Sequence, residues 1–243
     1  MTDNAALLRD LHRPGDPLLL PNVWDAGSAK IVQEAGFPAL ATASAAVAAM
    51  LGYPDHEGAP VEEMFAAAGR VIRAATVPVT VDAEAGYGLR PEELVERLLA
   101  IGAAGCNLED TRAGELAEPE TQAEYIAAVR EAAGDALVIN ARADTFVAKV
   151  PDPVDAAIAR GRLYLEAGAD CVYPITAPPD AVPALVKGIP GPVNANNFPG
   201  TSLAELAEMG VARVSYGPMP YLRALDALKE FAGRVLAKEN PYT

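Results

Sequence analysis

The sequence predicts an α/β fold, a (β/α)8 barrel in which residues 1–243 form one domain, and three observations carry that prediction. Eight short apolar runs recur along the chain, at 18–23, 39–43, 77–82, 105–109, 137–142, 171–175, 193–196 and 213–216. Each is followed by a helical pattern, at 26–35, 61–74, 91–101, 121–133, 153–167, 180–187, 202–208 and 220–237. Four of these helices close on the same turn, a glycine and then an apolar residue, at Gly36, Gly102, Gly168 and Gly210. Strands alternating with helices pair in parallel through right-handed crossovers. Eight such units close a barrel, for which the 243 residues are an ordinary length.

The elements follow in order. Residues 7–11 precede the first run and are expected to form a short helix that plugs one end of the barrel, and Asn22 marks the polar end of that run. The second run ends at Ser44 and leads into a long loop, 45–60, that carries Asp55, His56 and Glu57. The third ends in Asp82-Ala83-Glu84 and turns on Gly86 and Gly88, with Tyr87 placed to pack over the acids. Side chains alternate faces along a strand, so Asp82 and Glu84 are expected on one side. Pro91 and Pro153 suit the first turns of their helices. The fourth run ends in Glu109-Asp110 before a second long loop, 111–119, and the fifth ends near Arg142 and Asp144. Asn194, Asn196 and Asn197 mark the seventh. Long loops at the C-terminal ends of barrel strands are where substrates are bound.

Composition narrows the function. With 19 Lys+Arg against 33 Asp+Glu the formal charge is −14, which repels nucleic acid and acidic membranes and favours a small-molecule partner. Neither a membrane-spanning apolar run nor the layout of a secretory leader is present, so a cytoplasmic location is expected. Cys106 and Cys171 lie in apolar runs and read as packing residues, not as a disulfide.

If the strands are parallel, their polar ends share one mouth, and Asp82, Glu84, Glu109 and Arg142 come from three neighbouring strands. Three carboxylates packed together repel one another unless a cation joins them. An all-oxygen donor set selects Mg²⁺, with Mn²⁺ as the alternative, and Mg²⁺ touches only one or two carboxylates directly. Asp82 is therefore the expected direct ligand, with Glu84 and Glu109 acting through water. Arg142 offers a planar fork that pairs with a substrate carboxylate. A metal beside a 2-oxo acid stabilises the enolate formed when the adjacent bond breaks. The simpler readings are that the acids cap helices and that Arg142 neutralises Asp144 or Glu109. His12 and His56 are the only histidines, which leaves little material for a histidine relay, and strand ends without lysine exclude a Schiff base.

The motifs Pro21-Asn22-Val23-Trp24-Asp25-Ala26-Gly27-Ser28, Leu51-Gly52-Tyr53-Pro54-Asp55, Asp82-Ala83-Glu84-Ala85-Gly86-Tyr87-Gly88, Asn107-Leu108-Glu109-Asp110 and Asn140-Ala141-Arg142-Ala143-Asp144 span nearly the whole chain. Together they resemble the isocitrate lyase / phosphoenolpyruvate mutase superfamily. The resemblance implies a Mg²⁺-dependent barrel enzyme acting on 2-oxo acids or enolpyruvate-type compounds. It also implies a last helix, around 222–236, exchanged between subunits of a dimer of dimers. Asp82 then matches the metal-contacting acid, Glu84 and Glu109 the further acids of the metal shell, and Asp55 another acid that approaches it. Arg142 matches the carboxylate-binding arginine, and with Asp55 and Glu109 it forms the expected catalytic set. Ser44, Ala45 and Asn194 join Arg142 as the expected substrate-binding residues.

Two departures bear on the reaction. Relatives carry Ser-Gly-(Ala/Leu) after the second strand, where this chain has Ala43-Ser44-Ala45, with Ala41 ahead of it in place of an aromatic residue. The lyases carry a cysteine in the loop after the fourth strand, and here 111–119 contains none. That favours a phosphonomutase-like enzyme or an oxaloacetate-type decarboxylase or hydrolase. The alternatives are a catalytically silent binder of small acids and a methylisocitrate-lyase-type enzyme.

Overall fold

In the computed structural model, which describes residues 3–242, the parallel strands form a ring. The first stave is split. β1 (Leu18–Leu20) pairs with the last strand, β11 (Arg213–Ser215), while β2 (Asn22–Val23) pairs with β3 (Leu40–Thr42). Pro21 separates the two segments because it has no N–H to give a ladder. From β3 the ring runs through β4 (Val79–Asp82), β5 (Gly105–Glu109), β8 (Val138–Ala143) and β9 (Cys171–Pro174). A parallel bridge from Val172 to Val193 leads on to β10 (Asn194–Asn196), which pairs with β11. The amide of Asn22 spans the split stave: its Nδ2 donates to Thr42 O at 2.9 Å and its Oδ1 accepts from Tyr216 N at 2.9 Å.

The helices are α1 (Asn4–Asp10), α2 (Ala26–Glu34), α3 (Ser44–Leu51), α4 (Val61–Ala74), α5 (Pro91–Ile101), α6 (Pro119–Ala133), α7 (Pro153–Glu166), α8 (Val182–Gly188), α9 (Leu203–Glu208) and α10 (Met219–Leu236). Pro91, Pro119 and Pro153 each open a helix, and Gly36, Gly102, Gly168 and Gly210 all have positive φ at the expected helix stops. Besides the split first stave, two loops differ from the sequence expectation. Part of the loop at 45–60 is the helix α3, and the loop after β5 folds into an antiparallel pair, β6 (Thr111–Arg112) and β7 (Glu115–Leu116).

Outward residues of the strands pack under the helices. Cys106, Leu108 and Ile139 join Leu94 and Leu98 of α5 and Ile126 and Val129 of α6 in the largest apolar cluster, each leucine contributing about 1.5–3 kcal/mol by its burial. Inside the barrel, Leu8 of α1 fills the N-terminal end against Leu18, Leu20, Ala39, Ala41 and Val138, which is the expected plug. Above this layer Arg213 crosses the bore, and its Nη2 donates to Asn107 Oδ1 at 3.1 Å on the opposite strand, β5. Cys106 and Cys171 are both buried and unbridged. Among the described residues, no helix is long and apolar enough to cross a membrane.

Candidate active site

The mouth is built from the ends of β3, β4, β5 and β8. Asp82 closes β4, and its Oδ2 accepts from Ser44 N at 2.9 Å at the start of α3. The N-cap residue of that helix is Ala43, which has no side-chain acceptor, so the carboxylate of Asp82 meets the helix's positive end instead. Ser44 thus stands beside Asp82, and Ala45 follows it in the first turn of α3.

Glu84 departs from the strand argument. β4 ends at Asp82 and Glu84 has φ +48, so face alternation stops before it. Its carboxylate accepts from the Glu57 backbone N–H and from the Tyr87 hydroxyl at 3.1 Å, and Tyr87 N donates to Glu57 Oε1 at 2.6 Å. This clasp ties the loop around Asp55 to the β4 turn. His56, Glu57 and Tyr87 also have positive φ, each costing roughly 1–2 kcal/mol. Gly86 has φ +96, which favours glycine, and an added Cβ would press on the Tyr125 hydroxyl.

Glu109 ends β5 directly across the ladder from Arg142, and Arg142 Nη1 reaches Glu109 Oε2 at 2.5 Å. The other edge of the guanidinium is taken by Asp144: Nε donates to Oδ1 at 2.6 Å and Nη2 to Oδ2 at 2.7 Å. Asp144 is itself braced. Thr111 Oγ1 donates to its Oδ2 at 2.7 Å, and its backbone N donates to Asp110 Oδ1 at 2.9 Å. Asp110 is anchored from α7 by the Tyr164 hydroxyl at 2.6 Å and Arg160 Nη1 at 2.9 Å. The sequence reading missed this support. Its only local trace is Arg160 and Tyr164 at i and i+4 on one helical face.

Burial pushes the Glu84 carboxyl up to about 7; the Glu57 N–H opposes this, and the nearby charges of Asp82 and Asp55 add to it. Burial also pushes Glu109 up, against Arg142, with Asp144, Asp82 and Glu84 adding repulsion. For Arg142, burial works against the charge, but Asp144 and Glu109 outweigh it and raise its pKa.

Among the described residues no three Asp, Glu, His or Cys side chains are grouped so as to hold a metal by themselves. Of the three expected acids, the Glu84 carboxylate accepts from the clasp and Glu109 pairs with Arg142. The donors still fit a hard cation that keeps several waters. All are oxygens, they repel one another, and Asp55 Oδ1 is buried without a partner.

Asn194 is placed differently from the expectation. It is fully buried in register with Arg213 and donates to Ser215 Oγ at 3.1 Å, below the mouth. Strand alternation carries the next inward position to Asn196, which lines a cavity of about 600 Å³ with Tyr173, Phe198, Tyr216 and Met219. Tyr173 sits next to Arg142 across the β8–β9 ladder.

A parallel (β/α)8 barrel with carboxylates around an arginine at its C-terminal mouth defines the class of protein. The chain belongs to the phosphoenolpyruvate phosphomutase family, whose model matches residues 8–236, and so to the phosphoenolpyruvate mutase/isocitrate lyase superfamily, whose members are lyases and mutases. A crystal structure from Burkholderia cenocepacia J2315, assigned as a phosphonomutase, is 45% identical with TM-score 0.89, covering 98% of this chain and 100% of that one. Phosphoenolpyruvate phosphomutase from Streptomyces platensis subsp. rosaceus superposes with TM-score 0.87 at 26% identity, covering 97% and 88%. The 2-methylisocitrate lyase of Bacillus subtilis (strain 168) is 31% identical over 90% of this chain and 77% of its own length.

Proposed function

We propose that the protein is a Mg²⁺-dependent enzyme that cleaves or rearranges a C–C or P–C bond next to a 2-oxo carboxylate, through an enolpyruvate-type intermediate. The observation that carries this reading is Arg142, held by Asp144 on one edge and facing Glu109 at the mouth. In that reading Arg142 binds the substrate carboxylate and Ser44 and Ala45, at the N-terminus of α3, supply further donors to it. Asp82 would hold Mg²⁺ directly, with Asp55, Glu84 and Glu109 around its water shell. When bound, the ion supplies positive charge to the enolate oxygen. Phosphonomutase-like chemistry and oxaloacetate-type decarboxylation or hydrolysis suit the cysteine-free loop at 111–119 better than methylisocitrate cleavage does.

The test is calorimetric titration with Mg²⁺ and oxalate, an enolate mimic, followed by turnover assays on oxaloacetate, substituted malates and phosphonopyruvate. Wild type is expected to bind oxalate only with Mg²⁺, and Asp82→Ala to lose both. Equal binding by the two proteins sinks the site assignment.

A silent small-acid binder is the second reading, favoured by the engagement of the β6–β7 loop in structural bonds. Thr111 is tied to Asp144, and Arg112 donates to Gln122 Oε1 at 3.1 Å and stacks on Tyr125. Oxalate binding without turnover across the panel would select it. The assembly belongs to the same proposal. α10 has no buried residue and exposes Leu222, Leu225, Leu228, Phe231 and Val235, so a second copy is expected to cover it by exchanging this helix within a dimer of dimers. Light scattering of wild type and Leu228→Glu reads that directly.

A further inference from the structure

At the mouth, Tyr173 carries a hydroxyl that one bond orients and whose own proton is left over. Thr176 N donates to Asn196 Oδ1 at 2.9 Å, and a backbone N–H can only donate, so the atom facing it is the amide oxygen. The other end of that amide is therefore NH₂, and it lies 2.6 Å from the Tyr173 hydroxyl. An NH₂ also only donates, so Tyr173 Oη must accept. Its proton is thereby turned away from Asn196, with no acceptor for it among the described residues, on a side chain that lines the mouth cavity next to Arg142.

Two other hydroxyls at the mouth are engaged, and the Tyr216 hydroxyl, which lines the same cavity, has no group among the described residues that orients it as Asn196 orients Tyr173. The Tyr87 hydroxyl donates to Glu84 and Thr111 Oγ1 to Asp144. The thiols of Cys106 and Cys171 are fully buried, and burial pushes both to about 12. Burial likewise keeps the Tyr173 proton on its oxygen, up to about 12, although Arg142 pulls the other way.

We propose that Tyr173 is the catalytic acid of this site, delivering its hydroxyl proton to the carbon of an enolate held at Arg142. This rests on the function proposed above and supplies the proton donor that the cysteine-free loop does not. In the step the Tyr173 O–H bond breaks while a C–H bond forms from the enolate's electron pair, and the carbonyl re-forms at the neighbouring carbon. The tyrosinate left behind accepts from the Asn196 N–H and regains a proton from cavity water.

The experiment follows deuterium incorporation at C3 of pyruvate in D₂O by NMR, with Mg²⁺ present, beside the calorimetric affinity for oxalate. Tyr173→Phe is expected to keep oxalate affinity within about twofold and to lose exchange by about 100-fold or more, the usual worth of a positioned acid. Asn196→Leu, which leaves the hydroxyl but removes the group that orients it, is expected to exchange about tenfold more slowly at unchanged oxalate affinity. Exchange by Tyr173→Phe within about threefold of wild type, at normal oxalate affinity, overturns the proposal, as does a loss confined to Tyr216→Phe. If Tyr173→Phe fails to fold, full exchange by Asn196→Leu is the overturning result. A wild type that binds oxalate but exchanges nothing removes Tyr173 as the acid and leaves the small-acid reading standing. A wild type that does not bind oxalate removes both.

Discussion

At the N-terminal end of the barrel, Leu8 closes the bore against Leu18, Leu20, Ala39, Ala41 and Val138, and the layer holds no charge. At the C-terminal end, Asp82, Glu84, Glu109, Asp144 and Arg142 crowd a mouth in which burial and mutual repulsion push two of the carboxyls upward. The bore at the N-terminal end is filled by apolar packing, with Arg9 of α1 pairing with Asp170 outside the layer. The other end is held in an arrangement that is costly without a ligand, which is how a binding site differs from a core. Burial displaces a titratable group at each end, in opposite senses: His12, near the plug, is lowered to about 4, and Glu84, at the mouth, is raised to about 7.

The largest break in this contrast is Arg142→Met. It strands the buried carboxylates of Asp144 and Glu109, so a loss of about 3–5 kcal/mol in urea unfolding is expected, along with loss of oxalate binding. Leu8→Ala should cost about 2–4 kcal/mol at the other end through the cavity it leaves, with oxalate affinity unmoved. A change in oxalate affinity there would show that the ends are coupled.

The smallest effects are the two pH responses. Folded His12 resists protonation until about pH 4, chiefly because it is buried and secondarily because of Arg213, whereas in the unfolded chain it takes a proton below about 6.5. Stability therefore falls as pH drops from 7 to 4.5, by about 2 kcal/mol, and His12→Gln should abolish that arm. Glu84 runs the other way. Its proton is held in the folded state up to about 7 against 4.5 unfolded, so metal-free protein loses stability as pH rises from 5 to 8, by on the order of 2 kcal/mol. Glu84→Gln should flatten that limb. Equal slopes in wild type and either variant would remove the corresponding group from the account.

The same contrast explains what the sequence could reveal. The staves were legible because strands buried on both faces read as unbroken apolar runs, and their ends named Asp82, Glu109 and Arg142. α3 was not, since its alanines give no polar face and its cap, Asp82, comes from another strand. The turn of Glu84 depends on a positive φ that a charged residue does not announce. The bracing of Asp144 by Asp110, Arg160 and Tyr164 joins three elements, and so has no local signature. Asn194 and Asn196 look alike in sequence, and only the layering of the bore separates a strut from a wall of the cavity.

Pro21 leaves a last consequence. At the first stave the ladder changes partner at a residue without an N–H, from β11 on one side to β3 on the other, and a side chain reinforces the step, the Asn22 amide reaching Thr42 on one side and Tyr216 on the other. The mouth is thus a belt with a buckle. The width across which Ser44, Asp82 and Arg142 face one another is set partly by one uncharged residue that touches none of them, and Asn22→Leu would loosen the belt while leaving every acid in place.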